Sequence, residues 1–345
     1  MKRTVKVLPK GYHMEELLRN YFLKAGYYVA RGVPFKYEGF DITDVDLWLY
    51  NRISSVSREV TIVDCKNKKT PQAIERIFWI HGLKIALEAT SAIVATTDKR
   101  QEVKDFGKDL NIVVLDGNFM EKLKISDSVI SDRFSDEEFE NKIKEYSLNK
   151  IDGDWLGRMR FSKSLLSSRL SFDTCNSWLI QASFFAEQVI TKQNQRELAL
   201  RCLYILCSYV AIGIDYCMKE ISFLEQSERS KVMKDGFTYG SKGSTGISKM
   251  LNLAIGLIEE NSIEGSNQAN ELRNKILNKF ENLNTNILAE YFSKNDVSKN
   301  LFNVAIEFEQ IAMNKNFVNH NNSSIPLRSM LGCLLDHWKI DRSIF

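Results

Sequence analysis

The sequence predicts an α/β protein, a mixed sheet flanked by helices, followed by an all-α C-terminal domain. Three observations predict it. Residues 44–50 and 59–66 alternate or fill with β-branched and aromatic side chains, as strands do. Helical and strand patterns then alternate as far as Leu115, which is how a sheet acquires helices on its faces. Beyond about Ser126 the remaining pattern is helical.

Taken in order, residues 14–24 place Met14, Leu17, Leu18, Tyr21 and Phe22 at helical spacing, so one face of this helix packs on the sheet. Glu15 borders that face in the first turn, where a carboxylate either complements the helix dipole or serves a site. Glu16 is expected to face solvent. Gly26 ends the helix as a C-cap, and Tyr27-Tyr28-Val29-Ala30 begins an extended segment. In the next strand Val45, Leu47 and Leu49 share one face, while Asp44, Asp46, Trp48 and Tyr50 share the other. Asp41 and Asp44 are turn residues leading into it or weaker site candidates. Residues 51–58 form a polar, serine-rich hairpin loop. Beyond it Val60, Ile62, Asp64 and Lys66 line one strand face, and Thr61, Val63 and Cys65 the opposite one. A strand this apolar belongs in the middle of its sheet, with Asp64 and Lys66 emerging together from its end.

Thr70 and Pro71 read as an N-cap and first helical position, with Gln72 in the opening turn. Ile74, Ile77, Phe78 and Ile85 form the expected buried face, and His81 is a packing or surface histidine. A strand over residues 92–97, a helix over 101–110 and a strand over 112–115 complete the order α-β-β-β-α-β-α-β.

The C-terminal half offers no catalytic constellation. Residues 127–145 are polar and read as a linker. Residues 176–222 and 267–292 read as helices, the latter with a stripe of Leu272, Ile276, Phe280, Leu283, Ile287 and Tyr291. Cys202 to Ile214 is apolar and bounded by Arg201 and Asp215. Its 13 residues fall short of the roughly 20 needed to cross a bilayer, so a core helix is expected. Residues 236–246 hold four glycines without the G-x-x-x-x-G-K-[ST] order of a phosphate-binding loop, which predicts a mobile loop. His320 and His337 lack metal-ligand spacing. The expected domains are therefore 1–125, a linker at 126–150, and a helical domain at 151–345.

With 44% hydrophobic and 26% charged residues, the 345-residue chain has ordinary globular composition. The basic N-terminus lacks the apolar run of a signal peptide. None of the six cysteines forms a C-x-x-C pair, so reduced core thiols and a cytoplasmic location are expected, with no membrane association. Residues 1–125 carry 21 Lys+Arg against 16 Asp+Glu, whereas the remainder carries 26 against 28. That basic excess either favours a phosphate-rich ligand or is a solvated surface.

Asp46, Asp64 and Lys66 converging on one sheet edge suit a hard divalent cation beside a water nucleophile. The order Gly11-Tyr12-His13-Met14-Glu15, Gly26-Tyr27, Asp46, Asp64-Cys65-Lys66, Thr70-Pro71-Gln72, Ala92-Ile93-Val94-Ala95-Thr96-Thr97 and Ile112-Val113-Val114-Leu115-Asp116-Gly117 resembles the PD-(D/E)XK nuclease superfamily, and within it the Mrr-type restriction endonuclease branch. The resemblance covers about residues 11–124. It departs at Val45, where the motif has proline, and at Asp64, where glutamate or glutamine is commoner.

The resemblance implies a restriction-endonuclease-like fold and a Mg²⁺-dependent DNA endonuclease of restriction or phage defence, with Mn²⁺ able to substitute. Asp46, Asp64 and the Cys65 backbone carbonyl would hold the ion. Glu15 would complete the shell directly, through water or at a second ion. Lys66 would orient and help deprotonate the attacking water, or offset charge on the phosphate. Gln72 is either a supporting site residue or an ordinary first-turn glutamine. Lys68 and Lys69 contact DNA phosphates or solvent. The helical domain would serve recognition, homo-oligomer or partner assembly, or regulation. The alternatives are a nuclease for RNA or branched DNA, and a non-catalytic nucleic-acid-binding or scaffold protein retaining the fold.

Overall fold

The computed structural model describes residues 10–66, 72–126, 132–261 and 265–345. It comprises two compact units, one formed by Met1–Arg169 with Met313–Phe317 and the other by Leu170–Ala312 with Val318–Phe345. The first holds a five-stranded sheet of order β1 (Tyr28–Tyr37), β2 (Phe40–Arg52), β3 (Arg58–Lys66), β4 (Ser91–Thr96) and β5 (Val113–Leu115). β1, β2 and β3 pair antiparallel, and β3, β4 and β5 pair parallel. The parallel pairs need crossovers. These are supplied by α2 (Ala73–Ala86) and α3 (Gln101–Asp109). With α1 (Lys10–Lys24) in front, the element order is the one the sequence predicts, and β3 is central.

Both faces of the sheet are covered, as the strand patterns require. Met14, Leu17, Leu18 and Phe22 of α1 pack with Leu47, Leu49, Val63 and Cys65, closed off by Met120 and Leu123 of α4 (Gly117–Ser126). Trp48 lies opposite Ile62, and Asp64 opposite Val94. These residues share the other face, where Ala73, Ile77 and Ile80 of α2 are buried. α1 ends in a Schellman motif. The Tyr27 N–H donates to Phe22 O and the Gly26 N–H to Leu23 O, both at 3.0 Å, with Gly26 at φ +89°. The Tyr27 and Phe22 rings close the motif edge to face at 5.7 Å. β1 and β2 are joined by Glu38 and Gly39, both at positive φ, the two-residue turn whose twist matches a hairpin.

Several local expectations change. Glu16 is buried, not solvent-facing, because Arg19 and Arg31 both reach it. Phe78 and Ile85 are exposed, whereas Ile77 is buried as expected, with Ala73 and Ile80 beside it on the buried face. Thr70 and Pro71 lie outside the described residues, and Gln72 occupies the N-cap position of α2. Asp41 and Asp44 lie within β2, exposed, and no turn separates them from Asp46. Part of the expected linker is a helix, α5 (Asp136–Glu145), opened by a capping box in which Ser135 and Glu138 bond each other's backbone N–H. α5 and α6 (Trp155–Ser164) belong to the sheet-bearing unit. So does the returning segment, whose Met313 and Lys315 bond the backbone of Phe134 and Asp132.

Among its described residues the second unit contains helices and no strands: α7 (Phe172–Thr191), α8 (Arg196–Met218), α9 (Gln226–Tyr239), α10 (Gly243–Asn261), α11 (Gly265–Glu281), α12 (Thr285–Phe292), α13 (Asn295–Met313) and α14 (Ile325–His337). α8 is the expected core helix, but longer, since Arg201 and Asp215 are buried within it and do not bound it. Arg201 satisfies its charge on Glu197 and on the carbonyl of Ala312. The span Gln193–Met218 is long and apolar enough to cross a membrane, yet 94% of its most apolar window is buried inside the protein. The stripe from Leu272 to Tyr291 is divided between α11 and α12, with Leu272 and Leu283 exposed. The glycines of residues 236–246 end α9, form a 3-10 turn and start α10, so no long loop exists there.

Candidate active site

Asp46, midway along β2 where its pairing with β3 stops, comes together with Asp64 and Lys66 at the end of β3. Lys66 Nζ lies 3.7 Å from Asp46 Oδ2 and 3.5 Å from Asp64 Oδ1. The Cys65 backbone N–H donates to Asp46 Oδ2 at 2.6 Å, fixing that carboxylate across the strand pair. Burial, then the neighbouring Asp64 charge, raise the Asp46 pKa from its ordinary value, and Lys66 and the Cys65 N–H oppose them. The Cys65 thiol is pushed well above its ordinary value, first by burial and then by Asp46, Glu15 and Asp64. The Cys65 side chain packs in the buried core with Met14, Leu17 and Leu18 of α1, so the residue meets Asp46 through its backbone.

Arg76, on the first turns of α2, was not anticipated. Its Nε donates to Asp64 Oδ2 at 2.9 Å and its Nη2 to Oδ1, a bidentate pair with a carboxylate only 8% exposed. Such a pair compensates a buried charge that would otherwise be costly. Gln72 opens the same helix, exposed, and lines a 280 Å³ concavity with Lys66, Glu75, Arg76 and Trp79. Its side chain makes no capping bond.

Glu15 is close enough that the Asp46 charge, after burial, raises its pKa. Its carboxylate is nevertheless held by Arg31 Nη1 at 3.0 Å. Arg31 is the hub of a network linking α1, β1 and α5: its Nε lies 2.8 Å from Glu16 and 3.4 Å from Asp136, and its Nη2 bonds Glu137. Arg19 and Lys163 also pair with Asp136. Burial alone would raise the Asp136 pKa, but Lys163, Arg19 and Arg31 outweigh it and hold the carboxyl far below the usual range. This network lines a cleft of about 1220 Å³ between the β1–β2 hairpin and α5 and α6.

The structure thus gathers Asp46, Asp64 and Lys66, places Gln72 at the rim, and ties Glu15 to Arg31. Lys68 and Lys69 lie outside the described residues. Among the described residues no three His, Cys, Asp or Glu side chains cluster closely enough to hold a metal ion. Two carboxylates remain, which fits Mg²⁺, an ion commonly bound by one or two carboxylates and several waters. Arg31 and Arg76 escaped the sequence reading. The signal available for Arg31 was an arginine directly following the apolar run Tyr28-Val29-Ala30. No family model, curated protein or solved structure matches the chain.

Proposed function

We propose that the protein is a metal-dependent nuclease that hydrolyses phosphodiester bonds in DNA. The observation that carries this reading is Lys66 bracketed by Asp64 on its own strand and Asp46 on the adjacent one, where the pairing of β2 with β3 stops. Asp46 and Asp64, with the Cys65 carbonyl, would hold Mg²⁺ or Mn²⁺. When bound, the ion lowers the pKa of water and polarises the phosphodiester. Lys66 orients the attacking water and offsets charge developing on the phosphate. The two aspartates keep the lysine in place. Arg76 neutralises Asp64 in the geometry described and stands within reach of the same phosphate region. Glu15 acts on Asp46 at a distance through its charge, positioned by Arg31. A role in restriction or phage defence in the cytoplasm, with the helical unit serving recognition, assembly or control, belongs to the same proposal.

The test is cleavage of single-strand, duplex, methylated and junction substrates with Mg²⁺ and with chelator. Chelator-sensitive cutting is expected, and its absence on every substrate would sink the enzyme reading. A second reading, a nucleic-acid-binding module without catalysis, draws on Arg76, because a bidentate arginine satisfies Asp64 without any ion. Calorimetric titration separates the two, since this second reading requires no Mg²⁺ binding that depends on Asp64.

A further inference from the structure

Trp79 lies one turn beyond Arg76 on α2 and is 44% exposed, whereas Trp48, Trp155 and Trp178 are buried. Single exposed apolar side chains are common and carry no meaning by themselves. The neighbouring Phe78 shows why Trp79 differs. Phe78 is also exposed, but its ring packs edge to face on Phe106 at 5.1 Å. Trp79 instead faces a cation, with the Arg76 guanidinium carbon 5.6 Å from its ring centroid. It also lines the 280 Å³ concavity whose other walls are Lys66, Gln72, Glu75 and Arg76. That space is slightly below the range of drug-sized ligand pockets, and suits one planar group.

The concavity is chemically graded. Lys66 and Arg76 offer positive charge at the Asp64 end, Trp79 offers a π-face, and Gln72 and Glu75 offer hydrogen-bonding groups at the rim. A nucleotide has the same grading, with an anionic phosphate at one end and a flat, polar-edged base at the other. A base paired inside a duplex keeps its faces against its neighbours, so only an unpaired base has a face for the indole.

We propose that Trp79 is a stacking platform for one unpaired DNA base beside the scissile phosphate, so that the preferred substrate carries a single-stranded segment at the cut. This rests on the nuclease reading above for the position of the phosphate. Arg76 supports the indole from one side by cation–π contact. Every base has a π-face, so the platform is indifferent to sequence.

The experiment measures affinity of the full-length protein for labelled oligo(dT) and for a duplex of equal length, with Mg²⁺ withheld. Wild type, Trp79→Ala, Trp79→Leu and Trp79→Phe are compared after confirming equal melting temperatures. Alanine and leucine should weaken oligo(dT) binding about 5- to 150-fold, the range associated with one base stacked on an aromatic ring. Duplex affinity should change by less than about twofold, and phenylalanine should retain most of the single-strand affinity. Unchanged oligo(dT) binding in the alanine and leucine variants overturns the proposal. So does an equal loss for duplex and single strand, which would make Trp79 a mere prop for Arg76. Tighter binding of oligo(U) than oligo(dT) overturns the assignment to DNA. If the Trp79 effect appears but Mg²⁺ supports no cleavage of any strand, the nuclease reading fails and the stacking site stands. If Mg²⁺-dependent cleavage occurs without the Trp79 effect, the stacking site fails alone.

Discussion

Lys66 and Asp64 lie side by side at the end of β3, yet their removal should have different consequences. Asp64→Ala deletes one of two carboxylates available to an ion, so metal binding at the site should vanish together with cleavage. Lysine is no Mg²⁺ ligand. Lys66→Ala should therefore still bind the ion while cleaving about 10²- to 10⁴-fold more slowly, the usual worth of a positioned acid–base group. Melting temperature, metal affinity and cleavage rate measured on one preparation decide the matter. A folded, metal-binding Lys66→Ala protein cutting at the wild-type rate would remove the lysine from the mechanism. The trio Asp46, Asp64 and Lys66 was legible in the sequence because strand alternation puts Asp64 and Lys66 on one face of β3 and Asp46 on the matching face of its neighbour. Arg76 was not, because nothing in helical spacing says which residue of α2 meets the end of β3. Glu16 was misread because burial of a carboxylate depends on cations outside its own helix, here Arg31 of β1.

Elements show the same division between local and distant causes. The end of α1 could be read from Gly26 alone, since a positive φ favours glycine whatever the tertiary context. Gly26→Ala should cost about 1 kcal/mol, almost all of it conformational, because a Cβ there would meet nothing within 4 Å. Chemical denaturation should show a lowered midpoint with an unchanged slope. α5 escaped detection because its polar sequence carries only a short apolar face, Phe139 and Ile143. Its capping box, Ser135 to Glu138, was the available signal. What holds this helix in place is Asp136, whose depressed pKa makes it a pH-dependent brace. The native state binds that proton more weakly than the unfolded chain does. The stabilisation is therefore full above the unfolded value of about 3.9 and is lost as pH falls below it toward the folded value. Asp136→Asn should destabilise the protein by on the order of 3 kcal/mol near pH 7, by leaving Arg19 and Arg31 under-compensated. The gap to wild type should hold from pH 8 to about pH 5 and narrow below about pH 4. A gap that widened under acid would contradict this account. Thermal melts across that pH range provide the measurement.

For the whole molecule, the sheet, its strand order and the helical second half followed from periodicity, which local sequence records well. The limits of the compact units did not, because they depend on which helices supply counter-charges to the sheet. A chain cut after Ser126 retains the buried Arg19 and Arg31 but loses Asp136, Glu137 and Lys163. It should lack a cooperative melting transition, whereas a chain ending at Arg169 keeps these partners and should melt as a unit. Equal calorimetric transitions for the two would dispose of the argument. The first unit also draws on Met313–Phe317, which hydrogen-bond to Asp132 and Phe134. Between Arg169 and that segment the ribosome must add the helices from α7 to α13, taking on the order of 7–30 s at 5–20 residues per second. During that interval the sheet-bearing unit lacks this strip of backbone, which pairs outside the sheet, and Asp132 and Phe134 wait for partners not yet translated. The unit bearing the candidate active site is therefore finished only after most of the second unit has been synthesised, which ties the maturation of the first to the translation of the second.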